Sequence, residues 1–273
     1  MASLDWQAGA AARMEIDGVS LECAMWGPPP DAAPTLFLLH EGLGCVALWR
    51  DFPERLAAAT GCGVFAWSRA GYGASDPKPL PWSLDYMTDE ALTCVPQVLD
   101  AVSPQHAILL GHSDGASISA IYAGSVEDHR LWGVILMAPH FFTEPFGLAA
   151  IAEARTAFEK ADLRDRLNKY HHHVDNCFRG WNESWLHPDF REWNVSDCLD
   201  YIRVPVLAIQ GHDDQYGSMA QINEVTDRCY APVDLLALTD CRHAPYLDQP
   251  QATLDGVSDF CRRLADINGW DIK

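Results

Sequence analysis

The 273-residue sequence has few lysines and a large excess of acidic residues. Its lysines are Lys78, Lys160, Lys169 and Lys273, and the formal net charge is −19. So acidic a surface repels phosphate backbones and anionic lipid headgroups. We therefore expect neither nucleic acid nor a membrane as a partner.

Paired cysteines and long apolar runs are also missing. The nine cysteines contain no C-x-x-C pair, which argues against a disulfide framework and against a zinc site. The N-terminus lacks an unbroken apolar segment, and no run reaches about 18 apolar residues. These absences predict a cytoplasmic protein without a structural metal, and they leave the oligomeric state open, with a homodimer as one option.

What the sequence does contain is a regular alternation of short apolar runs and longer amphipathic stretches. This alternation is typical of a mostly parallel central sheet with helices on both faces, so the predicted fold class is α/β. A hairpin turning at Asp17-Gly18 precedes the alternation. The predicted strands cover 35–40, 63–67, 106–111, 131–138, 204–211 and 232–238, and the predicted helices cover 47–59, 85–101, 115–124, 218–229 and 250–265.

The alternation is interrupted once, between 141 and 200. This stretch has no convincing strand, and it holds ten of the 28 Phe, Trp and Tyr residues of the chain. Seven of its apolar residues recur at three- and four-residue steps, which indicates helix: Leu163, Leu167, Tyr170, Val174, Cys177, Phe178 and Trp181. We predict a core domain of 1–140 and 201–273 and a helical cap of 141–200. Its aromatic residues form either a core of the cap or an apolar wall for a ligand, and Trp181 and Trp185 are the predicted pocket residues.

The segment "GHSDG" places Ser113 between Gly111 and Gly115, directly after a predicted buried strand and before a small-residue helix. In a nucleophile elbow the chain reverses sharply there, and flanking glycines avoid clashes while the serine is held in a strained conformation. The helix N-terminus favours developing negative charge. Ser113 is therefore the candidate nucleophile.

A serine hydroxyl needs a base, and the base needs an acid to orient it. The loop "GHDDQYG" after one strand offers Asp213 and Asp214, and "LTDCRHAPYLDQP" after the next strand offers His243. Because each candidate follows a strand, all should meet at the carboxyl edge of the sheet, where α/β proteins bind ligands.

These segments, with "SRAGYGASDP", resemble the α/β-hydrolase superfamily over nearly the whole chain. The resemblance implies the α/β-hydrolase fold and a Ser-Asp-His triad without a cofactor. It assigns the acid to Asp214, with Asp213 as the fallback. It also implies an oxyanion hole formed by the backbone N–H of Asp114 and by that of Leu43 or, in another register, Gly42.

Three further features receive structural interpretations. In "HEGLG", Glu41 stands where a carboxylate would oppose an oxyanion, so we expect its side chain to point away or to pair with Arg50 or Arg69. We expect His112 to pack within the elbow. The run "HHH" at 171–173 is expected to be a solvated helix face, since successive helical residues cannot converge on one metal ion.

The leading functional hypothesis is a serine hydrolase that cleaves a small carboxylic ester, a lactone or a similar acyl compound through an acyl-enzyme. One alternative is hydrolysis of a C–C bond in a ring-cleavage product. Another is a non-catalytic receptor for small molecules on the same fold, because a retained triad does not by itself prove catalysis.

Overall fold

The computed structural model describes residues 5–7 and 9–270 of the chain. Its eight strands are Ala11–Ile16 (β1), Val19–Trp26 (β2), Thr35–Leu39 (β3), Gly63–Trp67 (β4), Ala107–His112 (β5), Leu131–Met137 (β6), Val206–Gly211 (β7) and Val233–Leu238 (β8). They form one sheet in the order β1-β2-β4-β3-β5-β6-β7-β8. The pairs β1·β2 and β2·β4 are antiparallel, and all other neighbours are parallel. The predicted α/β fold class is confirmed.

The first two strands are joined by the predicted tight turn. Asp17 and Gly18 both have positive φ angles, 51° and 77°, as the two central residues of a type I′ hairpin turn require. The hairpin adds the antiparallel edge to an otherwise parallel sheet.

Ten helices accompany the sheet within the described residues. They are Phe52–Thr60 (α1), Tyr86–Asp89 (α2), Val95–Val102 (α3), Asp114–Ser125 (α4), Pro145–Lys160 (α5), Leu163–Leu167 (α6), Val174–Trp185 (α7), Met219–Arg228 (α8), Pro245–Asp248 (α9) and Pro250–Ile267 (α10).

Two predicted helices are interrupted. In place of one helix over 47–59, a 3₁₀ turn at Val46–Trp49 precedes α1, because Arg50 adopts a positive φ of 54° that no α-helix contains. The segment predicted as helix 85–101 runs from α2 to α3 through a π turn at Glu90–Cys94.

Side chains of the parallel strands alternate between two apolar layers. Leu36 and Leu38 belong to the layer covered by α1 and α10, whereas Phe37 and Leu39 belong to the layer covered by α3, α4 and α8. Both faces of β3 are therefore buried, which explains why its sequence is apolar throughout.

The segment 141–200 lies between β6 and β7. It contains α5, α6, α7 and 3₁₀ turns at Pro188–Glu192 and Ser196–Tyr201. The residues at 168–173 separate α6 from α7, so the apolar periodicity that predicted a helix there crosses two helices. One apolar cluster contains both Phe37 and Leu39 of the sheet and the buried Phe158, Phe178 and Trp181 of this segment. The insertion therefore packs directly on the core.

Candidate active site

A small cavity lies at the carboxyl ends of the parallel strands, between the sheet and the insertion. Its volume is about 140 Å³. The core contributes the loops after β3, β5, β6, β7 and β8, and the insertion contributes α5 and α7. The lining residues are Glu41, Gly42, Leu43, Ser113, Asp114, His140, Glu144, Gly147, Leu148, Ile151, Trp181, Trp185, Tyr216 and His243.

Ser113 occupies a sharp reversal between β5 and α4. Its φ of 54° and ψ of −119° lie where non-glycine residues rarely occur. A Cβ at Gly111 would overlap the carbonyl oxygen of Gly115, and a Cβ at Gly115 would overlap that of Leu39. Both glycines are thus required by close backbone approach, and the turn directs Ser113 into the cavity.

The imidazole of His243 is held by Asp214. Nδ1 of His243 lies 2.8 Å from Oδ2 and 3.0 Å from Oδ1 of Asp214. The carboxylate also accepts hydrogen bonds from Gln210 Nε2 at 2.8 Å and from the Tyr216 N–H at 2.8 Å. With Nδ1 donating to the carboxylate, Nε2 of the neutral ring is left as the basic nitrogen.

The environment keeps Asp214 ionised. Burial alone would raise the pKa of this carboxyl, but the charge and hydrogen bond of His243 and the Tyr216 N–H lower it to about 2. Asp213, by contrast, is exposed to solvent. Of the two acids that the sequence offered, the structure brings Asp214 to the imidazole and turns Asp213 away.

Ser113 and His243 border the same cavity. No hydrogen bond between the Ser113 hydroxyl and the ring occurs within the described residues. In unliganded active sites this contact is often long and tightens only when substrate is bound. The geometry thus brings the candidate nucleophile Ser113, the candidate base His243 and the candidate acid Asp214 to one edge of the sheet.

The backbone N–H groups of Gly42, Leu43 and Asp114, residues that line the cavity beside Ser113, have no hydrogen-bond acceptor among the described residues. Asp114 is the first residue of α4, where the N–H has no partner inside the helix. The N–H groups of Gly42 and Leu43 are both without an acceptor. Both therefore remain candidates for the second oxyanion donor, as the sequence predicted.

The expected pairing of Glu41 with Arg50 or Arg69 is wrong. Glu41 lines the cavity, and its Oε2 lies 3.6 Å from Nδ1 of His112, not beside an arginine. Arg69 instead donates to the backbone carbonyl oxygens of His40 and Glu41. Burial would raise the pKa of the Glu41 carboxyl, but His112 and His40 lower it to about 2. Because Arg69 donates to the backbone of the turn, the side chain beside the Glu41 carboxylate is that of His112.

His112 does pack in the elbow, as expected, and it also contacts His243. Its ring meets Trp49 and Tyr246, and its Nε2 donates to the carbonyl oxygen of His243 at 2.6 Å. It therefore holds the backbone of the candidate base.

Sequence reasoning missed a buried polar chain behind the elbow. The Asp114 carboxyl accepts a hydrogen bond from the hydroxyl of Tyr86, which in turn accepts one from Nε1 of Trp185 at 2.9 Å. Arg69 Nη2 lies 4.0 Å from the same carboxyl. Burial raises the pKa of Asp114 despite these partners. These contacts fix the residue whose N–H faces the cavity.

His140 is a second residue that sequence patterns did not reveal. It follows β6, borders the cavity, and its ring stands edge-on to Trp185 and beside His243. Burial, followed by the nearby His243, lowers the pKa of His140 to about 3. The cavity therefore contains a neutral imidazole in addition to His243.

The three histidines at 171–173 do not form a solvated helix face. His171 is 1% exposed, whereas His172 and His173 are exposed, and α7 begins only at Val174. His171 is buried because it bridges two loops of the core: its Nδ1 accepts from the Gly73 N–H at 2.9 Å, and its Nε2 lies 3.0 Å from the carbonyl oxygen of Leu43.

Trp181 and Trp185 both border the cavity from α7 and are 7% and 4% exposed. A Cβ at Gly42 would overlap the indole of Trp181, so the insertion lies directly on the turn after β3. The two tryptophans contribute to the apolar cluster and to the cavity wall at once.

Metal-binding clusters and membrane-spanning helices are absent from the part of the chain that the structure describes. Among residues 5–7 and 9–270, no three His, Cys, Asp or Glu side chains are placed to hold a metal ion. No helix in that part is long and apolar enough to cross a bilayer.

Comparison with known proteins gives the same fold. Residues 34–166 match the family model described as alpha/beta hydrolase fold. Human alpha/beta hydrolase domain-containing protein 17B is 24% identical over 247 residues, covering 88% of this chain and 73% of that protein.

Two solved structures are similar over almost their full length. A carboxylesterase structure from the thaumarchaeon Nitrososphaera gargenis has a TM-score of 0.74 at 17% identity, covering 94% of this chain and 99% of that one. The enol-lactonase of Burkholderia xenovorans has a TM-score of 0.71 at 18% identity, covering 91% and 99%. The strand order, the family model and these similarities together show that the chain belongs to the α/β-hydrolase superfamily.

Proposed function

We propose that this protein is a serine hydrolase that cleaves a small carboxylic ester, a lactone or a similar acyl compound through an acyl-enzyme on Ser113. One observation carries the proposal: a single cavity is bordered by Ser113, by the His243 ring that Asp214 holds, and by three N–H groups without protein acceptors. These are the parts that acyl transfer to a serine requires.

In the first half of the reaction, His243 Nε2 accepts the proton of the Ser113 hydroxyl while the serine oxygen attacks the carbonyl carbon. The carbonyl oxygen becomes an oxyanion that accepts hydrogen bonds from the Asp114 N–H and from that of Leu43 or Gly42. Asp214 stabilises the imidazolium without taking its proton. The ester bond then breaks, and His243 protonates the departing alcohol oxygen.

In the second half, water replaces the alcohol. His243 accepts a proton from this water, whose oxygen attacks the acyl carbon of the ester on Ser113. Collapse of the second oxyanion returns the proton to the Ser113 oxygen and releases the carboxylic acid. A lactone follows the same steps, except that the alcohol and the acid stay in one product.

The cavity supports a small, uncharged acyl group. Its volume is about 140 Å³, and apolar surface comes from Leu148, Ile151, Trp181 and Trp185. The lining contains acids, histidines and Tyr216, without lysine or arginine. A carboxylate on the substrate would meet the ionised Glu41 with no cation to offset it, which favours neutral esters and lactones over anionic ring-cleavage products.

The proposal is tested by turnover on short p-nitrophenyl esters and small lactones, combined with labelling by a fluorophosphonate and peptide mapping. We expect many turnovers per protein molecule and a label on the peptide that contains Ser113. Binding without turnover, and no label on Ser113, would favour the receptor alternative. Turnover of ring-cleavage diketones but not of esters would favour C–C bond hydrolysis.

A further inference from the structure

In the turn after β3, residues 40–44, the carbonyl oxygens of Glu41 and Leu43 accept hydrogen bonds from neighbouring loops. The carbonyl oxygen of Glu41 accepts hydrogen bonds from His40 Nδ1 at 2.7 Å, from the Gly44 N–H at 3.1 Å and from Arg69 Nη2 at 3.2 Å. The carbonyl oxygen of Leu43 lies 3.0 Å from Nε2 of His171. A trans peptide directs the C=O of one residue opposite to the N–H of the next. The Glu41 carbonyl therefore orients the N–H of Gly42, and the Leu43 carbonyl orients the N–H of Gly44, which itself donates to the Glu41 carbonyl.

The protonation of His171 follows from its two partners. Nδ1 faces the Gly73 N–H and must therefore be an acceptor, which leaves Nε2 to carry the proton that is donated to Leu43. The ring is 1% exposed, and burial lowers the pKa of His171. It is thus a neutral, single-tautomer link between the insertion and the core.

His40 holds the other side of the turn by a similar pair of hydrogen bonds. Its Nε2 accepts from the Arg69 N–H at 3.1 Å, and its Nδ1 donates to the carbonyl of Glu41. The turn is held at Glu41 by a histidine of the core and at Leu43 by a histidine of the insertion. Both rings take their own hydrogen bond from the loop after β4.

The insertion is anchored at this point by more than one bond. The N–H of His172 donates to the carbonyl oxygen of Gly73 at 2.9 Å, and Asn176 exchanges two hydrogen bonds with the backbone of Lys78. The segment that follows His171 is therefore tied at two points to the loop after β4, which limits the movement of His171 relative to the turn.

From this geometry we infer that His171 is a positioning residue of the oxyanion turn, through which the insertion helps to set the N–H of Gly42. The Leu43 carbonyl orients the Gly44 N–H, and that N–H holds the carbonyl of the Glu41–Gly42 peptide. The inference rests on the proposed function, since it assigns the turn to the oxyanion hole. His171 does not touch the reacting atoms; it acts through the Leu43 carbonyl.

Loss of the contact between His171 and the Leu43 carbonyl should therefore lower kcat. Loss of one oxyanion donor costs roughly 10² to 10³ in kcat. Freeing the Leu43 carbonyl displaces a donor without removing it, so we expect roughly a 10- to 100-fold loss of kcat with little change in KM.

Paired substitutions separate the two bonds of His171. Gln places a donor near the position of Nε2 and should keep the contact with Leu43. Asn places its polar atoms near the position of Nδ1 and should keep only the contact with Gly73. His171→Phe keeps the ring volume and neither bond, and His172→Gln, at the exposed neighbour, is the control.

The measurement is the second-order rate of Ser113 modification by a fluorophosphonate, together with kcat and KM on p-nitrophenyl acetate and the melting temperature of each variant. We expect His171→Asn and His171→Phe to lose roughly 10- to 100-fold in both rates, His171→Gln to regain most of the loss, and His172→Gln to match the wild type.

Two results would overturn the inference. In the first, His171→Asn and His171→Phe lower the melting temperature but react with the fluorophosphonate as fast as the wild type, which would make His171 purely structural. In the second, Gln regains no more activity than Asn. Failure of the wild type itself to be labelled would instead remove the proposed function, and the inference with it.

Discussion

At the amino end of β6, polar side chains are bonded to one another, whereas at the carboxyl ends of the parallel strands the N–H groups of Gly42, Leu43 and Asp114 have no protein acceptor. Before β6, the Asp128 carboxylate accepts hydrogen bonds from Tyr122 at 2.6 Å and from two nitrogens of Arg130 at 2.9 and 2.7 Å, and Arg130 reaches on to Asp100 at 2.8 Å. Across the sheet, the N–H groups around Ser113 stay open to the cavity.

The first arrangement favours stability of the fold, and the second favours chemical reactivity. A saturated network lowers the free energy of the folded state and leaves no group with which to react. An elbow with a positive φ at Ser113 and N–H groups without acceptors lowers stability but can bind an oxyanion. Substitutions at the carboxyl ends should therefore affect rates, and those at the amino ends should affect unfolding.

The largest expected effect is that of the nucleophile. Ser113→Ala should lose roughly 10⁵ to 10⁶ in kcat while the melting temperature stays near that of the wild type, because the reacting oxygen is gone and the packing is kept. His243→Ala should be damaged to a similar degree, and the double variant should lose little more, since the two act as a unit. Near-normal turnover by Ser113→Ala would contradict the assignment of Ser113 as the nucleophile.

The next effect concerns the acid. Asp214→Asn should lower kcat by about 10⁴, because an amide favours the wrong imidazole tautomer. Asp213→Asn is the matched control and should stay within a few-fold of the wild type, since Asp213 is exposed. Steady-state kinetics of both variants decide the matter, and the reverse order of effects would move the role to Asp213.

A smaller effect is expected from the cavity wall. Trp181→Ala or Trp185→Ala removes an apolar contact with the remote end of the substrate, so the preference between short and long acyl esters should change by some 10- to 200-fold. Trp132, in β6 at the amino end, provides the control, and Trp132→Ala should leave that preference unchanged. Equal losses on every ester, with a lower melting temperature, would show that the cap tryptophans serve only as packing.

The smallest effect on activity is predicted at the amino ends. Burial would raise the pKa of the Asp128 carboxyl, but Arg130 and Tyr122 hold it at about 2. Because the folded-state pKa lies below the unfolded value of about 3.9, the ionised carboxylate stabilises the fold above that pH and loses its contribution as the pH falls towards 2.

Asp128→Asn should therefore lower the free energy of unfolding by about 2 kcal/mol at neutral pH. Urea unfolding should show this difference at pH 7 and about half of it near pH 3, while kcat stays unchanged. A loss of kcat without a loss of stability would contradict the separation between the two ends.

Much of the fold was predictable because its signals are local. The buried strands are continuous apolar runs, and β5, the glycines around Ser113 and the small residues of α4 stand consecutively in the sequence. The order of Ser113, Asp214 and His243, which follow β5, β7 and β8, was also visible, because the carboxyl ends of parallel strands share one edge.

What the sequence did not reveal depends on contacts between distant segments. His171 looked like one of three equivalent histidines until the fold brought it to Leu43 and Gly73. The partner of Glu41 was expected among the arginines, but Arg69 is engaged by the backbone of the turn. The break before α7 was hidden because the apolar spacing on both of its sides keeps the same period.

The proposed acyl-enzyme on Ser113 can be detected by mass spectrometry of the protein after rapid quenching during turnover of p-nitrophenyl acetate. We expect an acetyl group on the peptide that contains Ser113, formed and lost at rates that match turnover, and none in Ser113→Ala. Turnover without that adduct, or an adduct confined to another residue, would contradict the proposal.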